Sequence, residues 1–242
     1  MKTKILFPIL LSLITFLFSC DPLDHHVVPS DEVSTRYESY ENYDMIDASS
    51  AFTVYVVFSD TEEEIEIEAN DNLHQYIEVK KVNNTLHIGL ENNISVRGSA
   101  TLKAYVKTKH VSLFSASGAS RFFVDTPLDA EEVNVHLSGA STFAGDVSAN
   151  TLLADLSGAS VMNITGNTNL LEVEASGASI LKDYGFTSQS LIAELSGASK
   201  AYLSVNDEID IEASGASSLH YKGNASIIHQ DLSGASSIKK VN

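Results

Sequence analysis

Ser117-Gly118-Ala119-Ser120 is the first of seven copies of one four-residue motif in the second half of the chain. The copies begin at residues 117, 138, 157, 176, 196, 214 and 233, so successive starts lie 18 to 21 residues apart. A motif that recurs at a near-constant spacing is typical of repeat proteins, in which each repeat packs only against its neighbours. The sequence therefore predicts a solenoid with about 19 residues per coil.

Between the motifs, alternate residues are apolar at fixed distances from the last motif serine. Eight residues before that serine lie Val133, Leu152, Leu171, Leu191, Ile209 and Ile228; six before, Val135, Ala154, Val173, Ala193 and Ile211; four before, Leu137, Leu156, Ala175, Leu195, Ala213 and Leu232; two after, Phe122, Phe143, Met162, Leu181, Ala201, Leu219 and Ile238. A period of two residues is that of β-strands with one face turned to the interior. The repeat is too short for a crossover helix, so the coils are predicted to stack in parallel as an all-β, single-domain β-helix.

The same alternation predicts that the glycine and the last serine of each motif point inward. The serine hydroxyls could then hydrogen-bond to one another along the column, which would offset the cost of burying them. The alternative is a bulge at the glycine, which would turn these serines outward. We favour the inward orientation.

Residues 45–109 also alternate with a period of two but carry no motif. Segments such as Phe52-Thr53-Val54-Tyr55-Val56 and Leu102-Lys103-Ala104-Tyr105-Val106 are separated by asparagine- and aspartate-rich turns. These strands are predicted to extend or cap one end of the solenoid, so that the folded domain spans residues 45–242.

The first residues predict secretion and lipid anchoring. Lys2 and Lys4 precede an apolar run that ends at Ser19 and Cys20. This layout predicts a lipoprotein signal peptide over residues 1–19 and lipidation at Cys20; the alternative is an ordinary secretory signal with an incidental cysteine. Residues 20–44 are acidic and contain Pro22 and Pro29, which predicts a lipid-anchored flexible tether. The predicted location is the cell envelope, at the outer membrane.

Charge and cysteine content limit the function further. The chain has 32 acidic and 15 basic residues, a net charge of −17, which disfavours binding to nucleic acid phosphates. Neutral glycans, cations and cationic cell-surface proteins remain compatible partners, although the acid excess is equally explained as a solubility device. With a single cysteine the chain can form no internal disulfide.

One outward position of the repeat is acidic in coil after coil. Five residues before the last motif serine lie His136 and then Asp155, Glu174, Glu194, Glu212 and Asp231. These carboxylates could simply fan apart on a solvated face. The sharper hypothesis is a stripe that binds Ca²⁺ or a cationic partner, since carboxylate oxygens are hard ligands. No catalytic residue and no other cofactor is predicted.

Two parts of the sequence together resemble a known family. Strands such as Ile46-Asp47-Ala48, Ile65-Glu66-Ile67-Glu68-Ala69 and Thr85-Leu86-His87-Ile88, followed by the Ser-Gly-Ala-Ser ladder, resemble the bacterial auto-transporter adhesins with a head GIN domain. The resemblance covers residues 45–238. It implies a right-handed parallel β-helix in an envelope protein of Bacteroidetes-like bacteria, an adhesin role, and no catalytic residue.

The sequence thus favours a non-enzymatic cell-envelope lipoprotein that acts as an adhesin or binding scaffold for a glycan or cell-surface protein. The alternative is a polysaccharide-acting β-helix enzyme, a lyase or glycoside hydrolase, because parallel β-helices host such enzymes and carboxylates are plentiful. Glycoside hydrolysis needs two carboxylates across a cleft, whereas the acids of this chain recur as a column, as repetition alone would produce.

Overall fold

The computed structural model describes residues 25–242. These residues contain eighteen strands and one short 3-10 helix (Asp71–Tyr76). The first nine strands are β1 (His25–Val27), β2 (Val33–Glu38), β3 (Met45–Ala48), β4 (Thr53–Phe58), β5 (Glu64–Asn70), β6 (Ile77–Val82), β7 (Thr85–Leu90), β8 (Ile94–Val96) and β9 (Leu102–Thr108). The remaining nine are β10 (Leu113–Ala116), β11 (Arg121–Leu137), β12 (Thr142–Leu156), β13 (Val161–Ala175), β14 (Ile180–Leu195), β15 (Lys200–Ala213), β16 (Ser218–Lys222), β17 (Ser226–Leu232) and β18 (Ser237–Lys240).

Stacked parallel coils form the body of the molecule. Strands β11, β12, β13, β14 and β15 pair in that order, each in parallel with the next, and β16 and β17 continue the stack. Each long strand fills the chain between two motifs and bends around the coil. The predicted parallel β-helix, with about seven turns of about 19 residues, is confirmed.

The interior contains the side chains that the alternation predicts. Phe122, Phe143, Met162, Leu181 and Leu219 are fully buried in one column, and the columns four, six and eight residues before the last motif serine are buried in the same way from β11 to β15. Ile228 is the exception. Ile228 is the extra residue at a register shift in β17 and is 60% exposed, as is most of this strand near the end of the stack, so its predicted place in the core is wrong.

Each motif is a tight turn between successive long strands. In the fourth copy, the amide of Ser179 donates to the carbonyl of Ser176, and Gly177 has a φ of +68°. A positive φ at the first central residue alone is typical of a type II′ turn, which favours glycine there. The glycine therefore lies on the exposed side of the turn, and the prediction that it points inward is wrong.

The last motif serine points inward, as predicted. Its side chain is buried in the first six copies. The hydroxyls of Ser141, Ser160 and Ser179 donate to the carbonyl of the first serine of their own turn, at 2.7 to 2.8 Å. Ser217 and Ser236 make the same hydrogen bond within their own turns, whereas the buried hydroxyls of Ser120 and Ser199 have no partner in the part of the chain that the structure describes. The serines therefore do not form the predicted hydroxyl-to-hydroxyl column.

The irregular strands cap one end of the solenoid, as predicted. Strand β4 pairs in parallel with β11 on one side and β9 on the other. Strands β5 and β2 then follow in antiparallel orientation. On the adjoining side, β3 pairs with β10 and β7, and β6 closes the sheet antiparallel to β7. The reversal of strand direction ends the parallel stack.

The predicted tether is wrong for the residues that the structure describes. Residues 25–44 contribute β1, which pairs with β8, and β2, which forms the edge next to β5. The Arg36 guanidinium donates to the carbonyls of His74 and Ile77, at 2.7 and 2.8 Å. These contacts extend the folded domain from the predicted start at residue 45 back to residue 25.

Candidate functional site

The predicted acidic column exists and lies on one outer face. We call Asp155, Glu174, Glu194, Glu212 and Asp231 the acidic ladder. Consecutive members are direct partners on neighbouring strands, and all five are exposed. At the first rung, Nδ1 of His136 lies 3.7 Å from a carboxylate oxygen of Asp155.

A shallow groove of about 350 Å³ runs along the acidic ladder. Its second side consists of the first motif serines, Ser176, Ser196, Ser214 and Ser233. Carboxylates and hydroxyls repeat along it from coil to coil, because both positions belong to the repeat.

The ladder is a line of side chains and not a coordination cage. Among residues 25–242, no three histidine, cysteine, aspartate or glutamate side chains converge as ligands of one metal ion. Calcium binding by the ladder therefore stays a prediction. It is checked by thermal melts with added CaCl₂ against NaCl at equal ionic strength, and an equal melting temperature in both salts would contradict it.

Glu194→Gln is expected to stabilise the protein at low salt. Glu194 has a like-charged partner on both sides, Glu174 and Glu212, and two like charges about 5 Å apart in water repel by about 0.8 kcal/mol. The melting temperature of E194Q should exceed that of the wild type in 10 mM salt, and the gap should close in 1 M NaCl, where screening is strong. A gap that is independent of salt would contradict electrostatic repulsion along the ladder.

A second outer row, which the sequence analysis did not identify as a site, is rich in aromatic side chains. We call it the aromatic row. Following the strand pairing from the capped end, it comprises Tyr37, Glu66, Tyr105, Tyr55, Phe123, Ala144, Asn163, Lys182, Tyr202, His220 and Lys239. The row crosses eleven neighbouring strands, from β2 to β18 by way of the cap.

The row contains two separate groups of rings, and the rings stack within each group. The ring centroid of Tyr55 lies 5.2 Å from that of Tyr105 and 5.5 Å from that of Phe123, with interplanar angles of 12° and 21°. Further along, Tyr202 stacks on His220 at 5.1 Å, and Tyr184, next to the row, meets Tyr202 edge to face. Nearly parallel rings at these separations are offset, because full overlap would bring them to about 3.5–4 Å.

Charged side chains flank the first ring group and fix its geometry. The Lys103 ammonium lies 2.8 Å from the Glu68 carboxylate, which also accepts a hydrogen bond from the Tyr105 hydroxyl at 3.0 Å. The hydrogen bond from Lys103 lowers the pKa of Glu68, while desolvation and the bond to Glu68 raise the pKa of Tyr105. On the other flank, Lys107 pairs with Glu62 at 2.6 Å.

A shallow depression of about 160 Å³ opens beside these rings. Its lining combines the two stacked tyrosines with Val57, Glu64, Glu66, Lys107 and Asp125. Aromatic carbon surface next to both hydrogen-bond donors and acceptors is the chemistry of a ligand site.

A signal for this row was present in the sequence. Tyr55 and Tyr105 occupy the outward position between buried residues in Val54-Tyr55-Val56 and Ala104-Tyr105-Val106. Large aromatic residues at solvated positions are candidates for binding. The alternation within each strand predicts that both side chains point outward, but it does not predict that they are partners on neighbouring strands.

The predicted signal peptide, residues 1–19, and Cys20 lie outside the residues that the structure describes. Within residues 25–242, no helix is long and apolar enough to span a bilayer.

A stacked solenoid with in-register outer rows defines a class of repeat proteins that present extended faces to partners. Comparison of the sequence with known protein families agrees with this class and identifies the family. The chain belongs to the family described as "putative auto-transporter adhesin, head GIN domain", whose model matches residues 42–225. The resemblance inferred from the sequence is thereby confirmed.

Solved structures share the fold at low sequence identity. A "putative adhesin" from Bacteroides fragilis is similar with a TM-score of 0.80 and 20% identity, over 89% of this chain and 100% of that one. A "putative lipid binding protein" from Parabacteroides distasonis is similar with a TM-score of 0.76 and 16% identity, over 90% and 100%. No curated protein sequence matches the chain significantly.

Proposed function

We propose that this protein is a non-enzymatic lipoprotein of the cell envelope, anchored at the outer membrane, whose solenoid binds a glycan or a protein of a cell surface. The observation that carries the proposal is the aromatic row on the outer face of the sheet, in which two groups of stacked rings lie on one line. Membership of an adhesin family and the fold shared with solved proteins called adhesins support a surface role.

The form of the acidic ladder supports a binding role over an enzymatic one. Hydrolysis of a glycosidic bond requires an acid and a second carboxylate on opposite sides of the scissile bond. The ladder carboxylates are neighbours on one sheet, and each lies opposite the carboxylate at the equivalent position of the next coil. Such an arrangement presents a uniform charged strip to a partner.

Adhesion is tested with residues 21–242, produced without the lipid and fluorescently labelled. Saturable binding to intact bacterial or epithelial cells is expected. The same preparation should release no reducing or unsaturated ends from a panel of polysaccharides. Absence of cell binding together with release of such ends would overturn the proposal in favour of the enzyme.

Replacing Cys20 by alanine is expected to abolish lipid anchoring. Without a thiol there is no atom to carry the diacylglycerol, so the protein should lose all labelling by radioactive palmitate. The wild-type protein, processed in the same cells, is the control, and a wild-type chain without label would contradict the lipoprotein assignment.

A further inference from the structure

We infer that the aromatic row binds a neutral polysaccharide, with its principal contact at Tyr37, Tyr105, Tyr55 and Phe123. This inference rests on the proposed binding function and assigns to it a place on the molecule and a class of ligand. Four observations carry it: the exposure of the rings, the width of the row, its length and its charge.

The rings offer exposed carbon faces. Tyr55 and Phe123 are half-buried, and the offset between the stacked rings leaves part of their carbon surface accessible. Tyr105 is 36% exposed, and Tyr37, on the edge strand, is 63% exposed. The apolar face of a sugar ring packs against such surface, while its hydroxyls point sideways.

The width of the row suits a single polymer chain. On β9, Tyr105 lies between Lys103 and Lys107, the next residues on the same face. Alternate residues of a strand lie about 6.8 Å apart, so the aromatic strip is one side chain wide, with charge on both sides at Tyr105. A standard protein interface buries about 800 Å² of surface per partner, which is more than a strip one side chain wide offers.

The length of the row also suits a polymer. From Tyr37 to His220 the row crosses nine strand-to-strand steps, or about 43 Å at about 4.8 Å per step. The second ring group, at Tyr202 and His220, lies on the same line. A long chain that reaches both groups should bind more tightly than a short oligosaccharide, because the second contact is intramolecular.

The charges around the first ring group favour a neutral ligand. Of the three cations beside the first ring group, Lys103 and Lys107 are paired with Glu68 and Glu62, so within residues 25–242 only the exposed Arg121 has no carboxylate partner to compete with a uronate or a sulfate. The whole chain carries −17, which repels acidic glycans. The paired groups still supply both donors and acceptors, as sugar hydroxyls require.

The test is native gel electrophoresis of residues 21–242 in gels that contain one polysaccharide each. The neutral probes are hydroxyethyl cellulose, xylan, galactomannan and yeast mannan, and the acidic probes are polygalacturonate and hyaluronan. Retardation by at least one neutral probe and by neither acidic probe is expected. Absence of retardation by every neutral probe, or preference for an acidic one, overturns the inference.

Variants locate the site. Y55T/Y105T keeps strand-forming residues but removes the stacked faces, and it should weaken the retardation roughly tenfold. Y55F/Y105F keeps the faces and should restore most of it. The matched control is Ile192→Thr, which removes a 42% exposed apolar side chain outside the row and should change nothing. Circular dichroism establishes that each variant is folded.

The outcomes separate this inference from the proposed function. Cell binding without retardation by any polysaccharide would leave the adhesin proposal standing with a protein partner and would overturn the glycan site. Retardation that Y55T/Y105T leaves unchanged would overturn the aromatic row as the site.

Discussion

Gly177→Ala is expected to prevent folding or to lower the free energy of unfolding by more than about 4 kcal/mol. Gly177 has a φ of +68°, and a Cβ there would lie 2.4 Å from the carbonyl oxygen of Gly158 in the turn below. That carbonyl accepts a 2.7 Å hydrogen bond from Ala178, so it cannot move away without separating two coils. Urea unfolding followed by circular dichroism measures the loss.

Gly118→Ala is the matched control, because Gly118 occupies the same position in the first motif. Its φ is +71°, but the nearest atom to an added Cβ is the backbone nitrogen of Ser50, at 3.6 Å. Only backbone strain remains, of about 1–3 kcal/mol. Equal losses in G118A and G177A would show that close stacking of the turns does not limit this position.

Phe143→Ala is expected to lower the free energy of unfolding by about 3–5 kcal/mol. The Phe143 side chain is fully buried, and its ring packs edge-on against Phe114 at 5.1 Å. Phe114 is on β10 and Phe143 is on β12, and both strands pair with β11. A cavity between the two rings would therefore weaken several coils together. The shift of the urea midpoint measures the effect.

Phe123→Ala is the control for this prediction. Phe123 is half-buried on the outer face and stacks on Tyr55, so its removal costs an aromatic contact worth about 0.5–1.5 kcal/mol beyond the area it buries and leaves no cavity in the core. A loss in F123A as large as that in F143A would contradict the assignment of inner and outer faces.

The repeat was predictable because one pattern governs every coil. Residues such as Val135, Ala154 and Val173 recur at one distance from the motif and are all buried in the structure. A coil of this kind cannot satisfy its backbone or bury its apolar face alone, so stacking is the arrangement left to it. The same regularity predicted the acidic ladder, since residues at one repeat position meet on neighbouring strands.

The motif glycines show where the alternation fails. A strict period of two places Gly177 inside. At the motif the chain forms a turn in which Gly177 has a positive φ, and the glycine lies on the exposed side. The period applies only while the backbone stays extended. Two residues later the turn returns Ser179 to the interior, where the prediction was right.

The sequence by itself determined the solenoid, its period, its interior columns and the acidic ladder, because each follows from a local pattern that recurs from coil to coil. The tertiary structure alone decided that residues 25–44 complete the cap and that Tyr37, Tyr105, Tyr55 and Phe123 form one row. These residues lie on four strands without a common repeat. Their alignment depends on strand register between distant segments, which is set by the packing of the whole cap and by no local pattern.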